Sequence, residues 1–191
     1  MYSTENVKQK RFQLLASMNE QVFHRDDLAR LWNINDPNTL NVTLYRYVKN
    51  KLLYRIYKGF FSIITPEKID PMLLGIKALH RYAYISTETV LFDKGIIHQL
   101  PAAISIISSV SRKFTIGEQN YSSRKLNFMF LMNPAGVEDS GSYKKADVDR
   151  AIADMLYFNE RCYFDNENVI DWPAVREMQL AIGYSETPER Y

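Results

Sequence analysis

One cysteine, Cys162, stands in 191 residues, so no internal disulfide forms and no thiolate zinc cluster can be assembled. The three histidines, His24, His80 and His98, are scattered without ligand spacing. No serine or cysteine nucleophile has an identifiable base partner in the sequence. Apolar runs are short: the longest, near Ile104–Val110, is broken by serines and falls far below a bilayer span. The opening Met-Tyr-Ser-Thr-Glu-Asn lacks the basic-then-apolar order of a secretory leader. Internal repeats and low-complexity stretches are missing too. These absences lead us to expect a cytoplasmic protein with no metal, cofactor or membrane partner, and not an enzyme.

What is present is ordinary in amount and uneven in place. Hydrophobic residues at 46% and charged residues at 24% suit a globular protein, and the length is comfortable for two modules with separate cores. The net charge of +2 conceals an asymmetry. Residues 1–65 hold ten Lys/Arg against five Asp/Glu (+5), residues 66–142 hold eight against seven (+1), and residues 143–191 hold six against ten (−4). A basic N-terminal third suits a polyanionic partner, because phosphate neutralisation supplies most sequence-independent affinity for nucleic acid.

Periodicity places three helices and a hairpin in that third. Residues 5–19 read as a helix with Val7, Phe12, Leu14, Leu15 and Met18 near one face and Lys8, Lys10 and Arg11 mostly outside it. Arg25–Trp32 is a short helix with Leu28, Leu31 and Trp32 inward, stopped by Asn33-Ile34-Asn35-Asp36-Pro37. A third helix runs from about Asn38 to Asn50. At 100° per residue, Leu40, Leu44, Tyr47, Val48 and Leu52 share one side, and Thr39, Val42, Thr43, Arg46 and Lys49 the other. Leu53–Tyr57 and Phe60–Ile64, split by Lys58-Gly59, read as a tight hairpin with a basic tip. Helix, turn, helix and basic hairpin in this order form the pattern of a winged helix-turn-helix.

Prolines at 66 and 71 mark the boundary region, giving a DNA-binding domain over residues 1–65 and an α+β regulatory domain over 66–191. In the second part, Pro71–Arg81 looks helical, and Ser86 is placed to cap a helix running to Lys94 with Gly95 closing it. Strands are expected at Ala103–Val110, Lys113–Ile116 and Leu126–Met132, and a loop at Pro134–Ser142. Lys144–Phe158 carries helical spacing. Asp171-Trp172-Pro173 opens a last helix that Gly183 ends. The fold class is α+β.

Three phrases carry a family resemblance. The first is Leu44-Tyr45-Arg46-Tyr47-Val48-Lys49 leading to Leu53-Tyr54-Arg55-Ile56-Tyr57-Lys58-Gly59-Phe60-Phe61. The second is Tyr84-Ile85-Ser86-Thr87-Glu88-Thr89-Val90-Leu91, followed by Gly95-Ile96-Ile97 and Ala103-Ile104-Ser105-Ile106. The third is Asp147–Leu156 with Ala151 and Asp154, similar to an "E-R-A-L-x-D" helix, although this chain reads Asp149-Arg150-Ala151 there. Together, over roughly residues 20–184, they resemble the AbiEi-type antitoxin and transcriptional regulator family. That resemblance implies an N-terminal winged helix, a C-terminal α+β antitoxin-like domain, repression of the protein's own operon, and neutralisation of a nucleotidyltransferase-like toxin.

Residue by residue, the pattern assigns Arg46 and the threonines Thr39 and Thr43 to base edges, and Lys49, Arg55 and Lys58 to phosphates. Asn38 opens the same face, and Arg25, at the start of the second helix, touches the backbone. The expected partner is double-stranded promoter or operator DNA, with a cognate toxin or a second copy as further partners. The plain alternative for these side chains is a solvated helix face. Winged helices also dock proteins, so an interaction adaptor without DNA binding is the competing function. Tyr47, Phe60 and Phe61 read as core. Gly141-Ser142 with Asp147-x-Asp149 is similar to a nucleotidyltransferase motif, but two acids in a helix's first turn are better explained by the helix dipole.

Overall fold

The computed structural model describes residues 4–188. It is α+β throughout and divides between Asp70 and Pro71.

The first unit runs α1 (Thr4–Ser17), β1 (Val22–His24), α2 (Arg25–Leu31), α3 (Pro37–Lys49), β2 (Tyr54–Tyr57) and β3 (Phe60–Ser62). Its three strands form an antiparallel sheet in the order β1-β3-β2. One core gathers Leu15, Phe23, Leu28, Trp32, Leu40, Leu44, Tyr47 and Phe61, all buried; Phe60 is buried as well. Leu31, expected inward, is only half-buried.

Helix α1 departs from the expected face. Val7 is 40% and Leu14 42% exposed, whereas Lys8 and Arg11 are half-buried. The packed stripe is residues 8, 11, 12, 15 and 18, a three-and-four spacing that carries two cations among its apolar members. Strand β1 was not expected. At three residues it is too short to show alternation, and pairing with β3 supplies what its own sequence does not.

The second unit contains α4 (Pro71–Leu79), β4 (Ala83–Ile85), α5 (Glu88–Asp93), β5 (Ile104–Ser108), β6 (Arg112–Ile116), β7 (Gln119–Lys125), α6 (Phe128–Leu131), β8 (Val137–Asp139), β9 (Lys144–Ala146), α7 (Val148–Phe158) and α8 (Trp172–Ile182). Its six-stranded mixed sheet runs β6-β7-β5-β4-β9-β8, with β5–β7 and β4–β9 parallel and the other pairs antiparallel. Gly75 in α4 sits where a Cβ would fall 2.5 Å from the Tyr121 ring, so only glycine lets this helix approach β7.

Four expectations here are corrected. Leu126–Met132 is not a strand: the Asn127 side chain accepts from the Met129 amide at 3.0 Å and starts the short helix α6. Ser86 does not cap α5, which follows Thr87 at φ +51°; the Ser86 hydroxyl is buried and donates to Asp154 at 2.8 Å. The stretch 134–142 includes β8, and α7 begins only after β9. Strand β7 was missed because Gln-Asn-Tyr-Ser-Ser-Arg-Lys is polar, yet strands on both sides hold it. Asp171 caps α8 and Gly183 closes it at φ +96°, as the sequence suggested.

At the centre of this unit, all five N–H groups of the buried Arg150 have acceptors. Nε donates to Asp154 at 3.1 Å, Nη1 to the carbonyls of Asn133 and Ala135 at 3.2 and 2.9 Å, and Nη2 to the Tyr84 hydroxyl and the Phe130 carbonyl at 2.7 and 3.0 Å. Asp154 also accepts from the hydroxyls of Tyr84, Ser86 and Tyr184 at 3.0, 2.8 and 2.7 Å. Burial pushes the pKa of both tyrosines up, so both remain O–H donors.

Candidate nucleic-acid interface

Asp36 starts α3. Its carboxylate accepts from the Thr39 amide at 2.6 Å, and Pro37 occupies the first turn, where no N–H is needed. Bonds from the Thr39 side chain and amide hold the Asp36 carboxyl below the ordinary 3.8. From that start, Leu40, Leu44 and Tyr47 are buried against the first unit's core. The opposite face carries Asn38, Thr39, Arg46 and Lys49, all exposed.

Two of the expected residues are less open. Thr43 is half-buried, and its hydroxyl donates to the Thr39 carbonyl at 2.7 Å. Its hydrogen is committed to its own helix, which leaves the methyl group and the lone pairs for contact. Arg25, at the first position of α2, is also half-buried. Its Nε donates to Asn41 Oδ1 of α3 at 3.3 Å, and its Nη1 pairs with Asp26 at 3.4 Å.

Arg25 also locates the hairpin. Its backbone N–H donates to the Gly59 carbonyl at 2.8 Å. Gly59 turns the chain at φ +80°, where glycine carries no steric penalty. The bend beside Lys58 is therefore tied to the start of α2, and through Asn41 to α3. Lys58 and Arg55 are both exposed.

The eight side chains named from the sequence thus lie on α2, α3 and the β2–β3 hairpin of one unit, with Arg25 joining all three elements. Asn41 carries no signal of its own in the sequence, because its role depends on a contact 16 residues away. Val42, expected on the outward side, and Tyr45 are 48% and 66% exposed on α3. In the second unit, Asp147 caps α7 by accepting from the Arg150 amide at 2.7 Å. Burial, reinforced by Asp147 and Asp171, raises the pKa of Asp149. No helix among the described residues is long and apolar enough to cross a membrane.

Neither a protein-family model nor a curated protein matches this chain. Among solved structures it is similar to the crystal structure of the RV2827C protein from Mycobacterium tuberculosis, with a TM-score of 0.53 and 10% identity over 91% of this chain and 71% of that one. At that identity the likeness concerns the fold alone.

Proposed function

We propose that this protein is a sequence-specific DNA-binding transcriptional regulator whose first unit is a winged helix-turn-helix. In this reading α3 enters the major groove and the β2–β3 hairpin is the wing. One observation carries it: the exposed Asn38, Thr39, Arg46 and Lys49 stand opposite a buried Leu40–Leu44–Tyr47 stripe, beside a hairpin whose basic tip is fixed to the same helix pair. A helix needs this arrangement to pack on one side and meet base edges and phosphates on the other. Promoter occlusion is then the mechanism.

In keeping with the family it resembles, we assign it the role of an AbiEi-like antitoxin in the cytoplasm that represses its own operon and counteracts a nucleotidyltransferase-like toxin. Two of the phrases behind that resemblance meet in the fold: Tyr84 and Ser86 from one, Arg150 and Asp154 from another.

The test is Arg46→Ala on the full chain, with binding measured to duplex DNA from upstream of its own coding sequence and to a scrambled duplex. A lost bidentate base contact costs about 1–3 kcal/mol of discrimination. Preference for the upstream duplex should therefore shrink while scrambled-duplex affinity changes little. An unchanged preference contradicts the assignment of Arg46. The exposed Val42 and Tyr45 favour a second reading, a protein-docking helix; that adaptor survives if no duplex is retained at low salt.

A further inference from the structure

A groove of about 270 Å³ lies between α1 and the second half of α3, lined by Lys8, Arg11, Thr43, Arg46, Tyr47 and Asn50. Three of these residues, Lys8, Arg11 and Arg46, are cationic, and none of the described lining residues is acidic. The walls are fixed. The Tyr47 hydroxyl donates to the Lys8 carbonyl at 3.0 Å, and the Arg11 guanidinium lies 5.9 Å from the Trp32 ring centroid. Burial raises the Tyr47 hydroxyl's pKa, and the Arg11 charge opposes it.

Cationic side chains gathered around one concavity favour an anion there, and more strongly as the local dielectric falls below that of water. The volume is about nine times the ~30 Å³ that one water occupies in the liquid, enough for a phosphodiester with part of its hydration. Thr43 and Arg46 belong both to this groove and to the outward side of α3. A duplex seated on that side therefore brings backbone to the groove's edge.

We infer that the groove takes a phosphodiester of the duplex backbone, held by Lys8 and Arg11 of α1 with Arg46 at the shared margin. This deepens the DNA-binding reading above and rests on it. Neither α1 residue reads sequence; each sets the height and angle at which α3 enters the groove.

The experiment uses the full chain, the upstream duplex and a scrambled duplex, with binding measured across a salt series. The variants are Lys8→Gln, Arg11→Gln and Lys10→Gln, the last on the same helix but outside the groove lining. Each lost phosphate contact should lower the slope of log affinity against log salt by about 1, equally on both duplexes. Lys8→Gln and Arg11→Gln are expected to do this, and Lys10→Gln to leave the slope near wild type. Arg11 also packs on Trp32, so Lys8→Gln, checked for an unchanged melting temperature, carries the result if Arg11→Gln unfolds. If the wild type binds duplex but Lys8→Gln behaves like Lys10→Gln, the groove assignment is wrong and the α3 reading stands. If the wild type binds no duplex, both fall.

Discussion

At the scale of single residues, the Arg150–Asp154 pair shows how completely a buried charge can be satisfied. Both side chains are fully buried, and the donors of one and the acceptors of the other are filled. Burial drives the Asp154 carboxyl's pKa up, against the pull of Arg150 and three hydroxyls. Burial alone would lower the pKa of Arg150, but Asp154 and the two tyrosines outweigh it. Removing one partner leaves an uncompensated interior charge, which costs about 3–5 kcal/mol. Asp154→Ala should therefore lower the unfolding free energy from denaturant titration by that order, whereas a loss below about 1 kcal/mol, the range of exposed pairs, would contradict a dry network. The sequence showed only an (i, i+4) pair of opposite charges, which usually lies in solvent. Its tyrosine partner stands 66 residues away, beyond the reach of any local pattern.

At the scale of elements, periodicity reveals an element when its burial is one-sided and its ends are marked. Helix α3 satisfies both conditions: Asp36 and Pro37 mark its start, and Leu40, Leu44 and Tyr47 line one side. Helix α8 does so through Asp171 and Gly183. Strand β1 is too short to show a period, and β7 alternates in burial but places the polar Ser123 beside Tyr121 on its inward side, so hydropathy does not reveal it. Helix α1 differs for another reason: the half-buried Lys8 and Arg11 lie on the packed stripe, where long cationic side chains can bury their stems. The elements that carry the eight proposed interface residues are legible because α3 and the hairpin are well marked; the contact of Asn41 is not, since it is tertiary.

The cap of α3 gives a pH test. The Asp36 carboxyl is held below 3.8 in the folded chain. Its contribution is therefore present above that value and is lost as pH falls through the depressed one. Asp36→Asn keeps a capping side chain without the titration. The stability advantage of wild type over Asp36→Asn, from denaturant titrations followed by circular dichroism, should be constant above about pH 5 and should decline below it. A gap that stays constant into stronger acid would mean that the cap's charge is immaterial.

At the scale of the whole molecule, the charge is partitioned with the chain. Residues 1–65 carry +5, and residues 143–191 carry −4. The basic side chains proposed to hold phosphates, Arg25, Lys49, Arg55 and Lys58, all belong to the first unit. An excess of this sign in the first unit suits the polyanionic partner proposed for it. Each phosphate contact releases counterions and contributes about −0.9 to the slope of log affinity against log salt, so four of them predict about −3.6 before any contribution from α1. The most direct measurement is the affinity of the full chain for its upstream duplex across a salt series. A slope of about −3.6 or steeper is the predicted result. A flat dependence, or no duplex binding at low salt, would contradict the account.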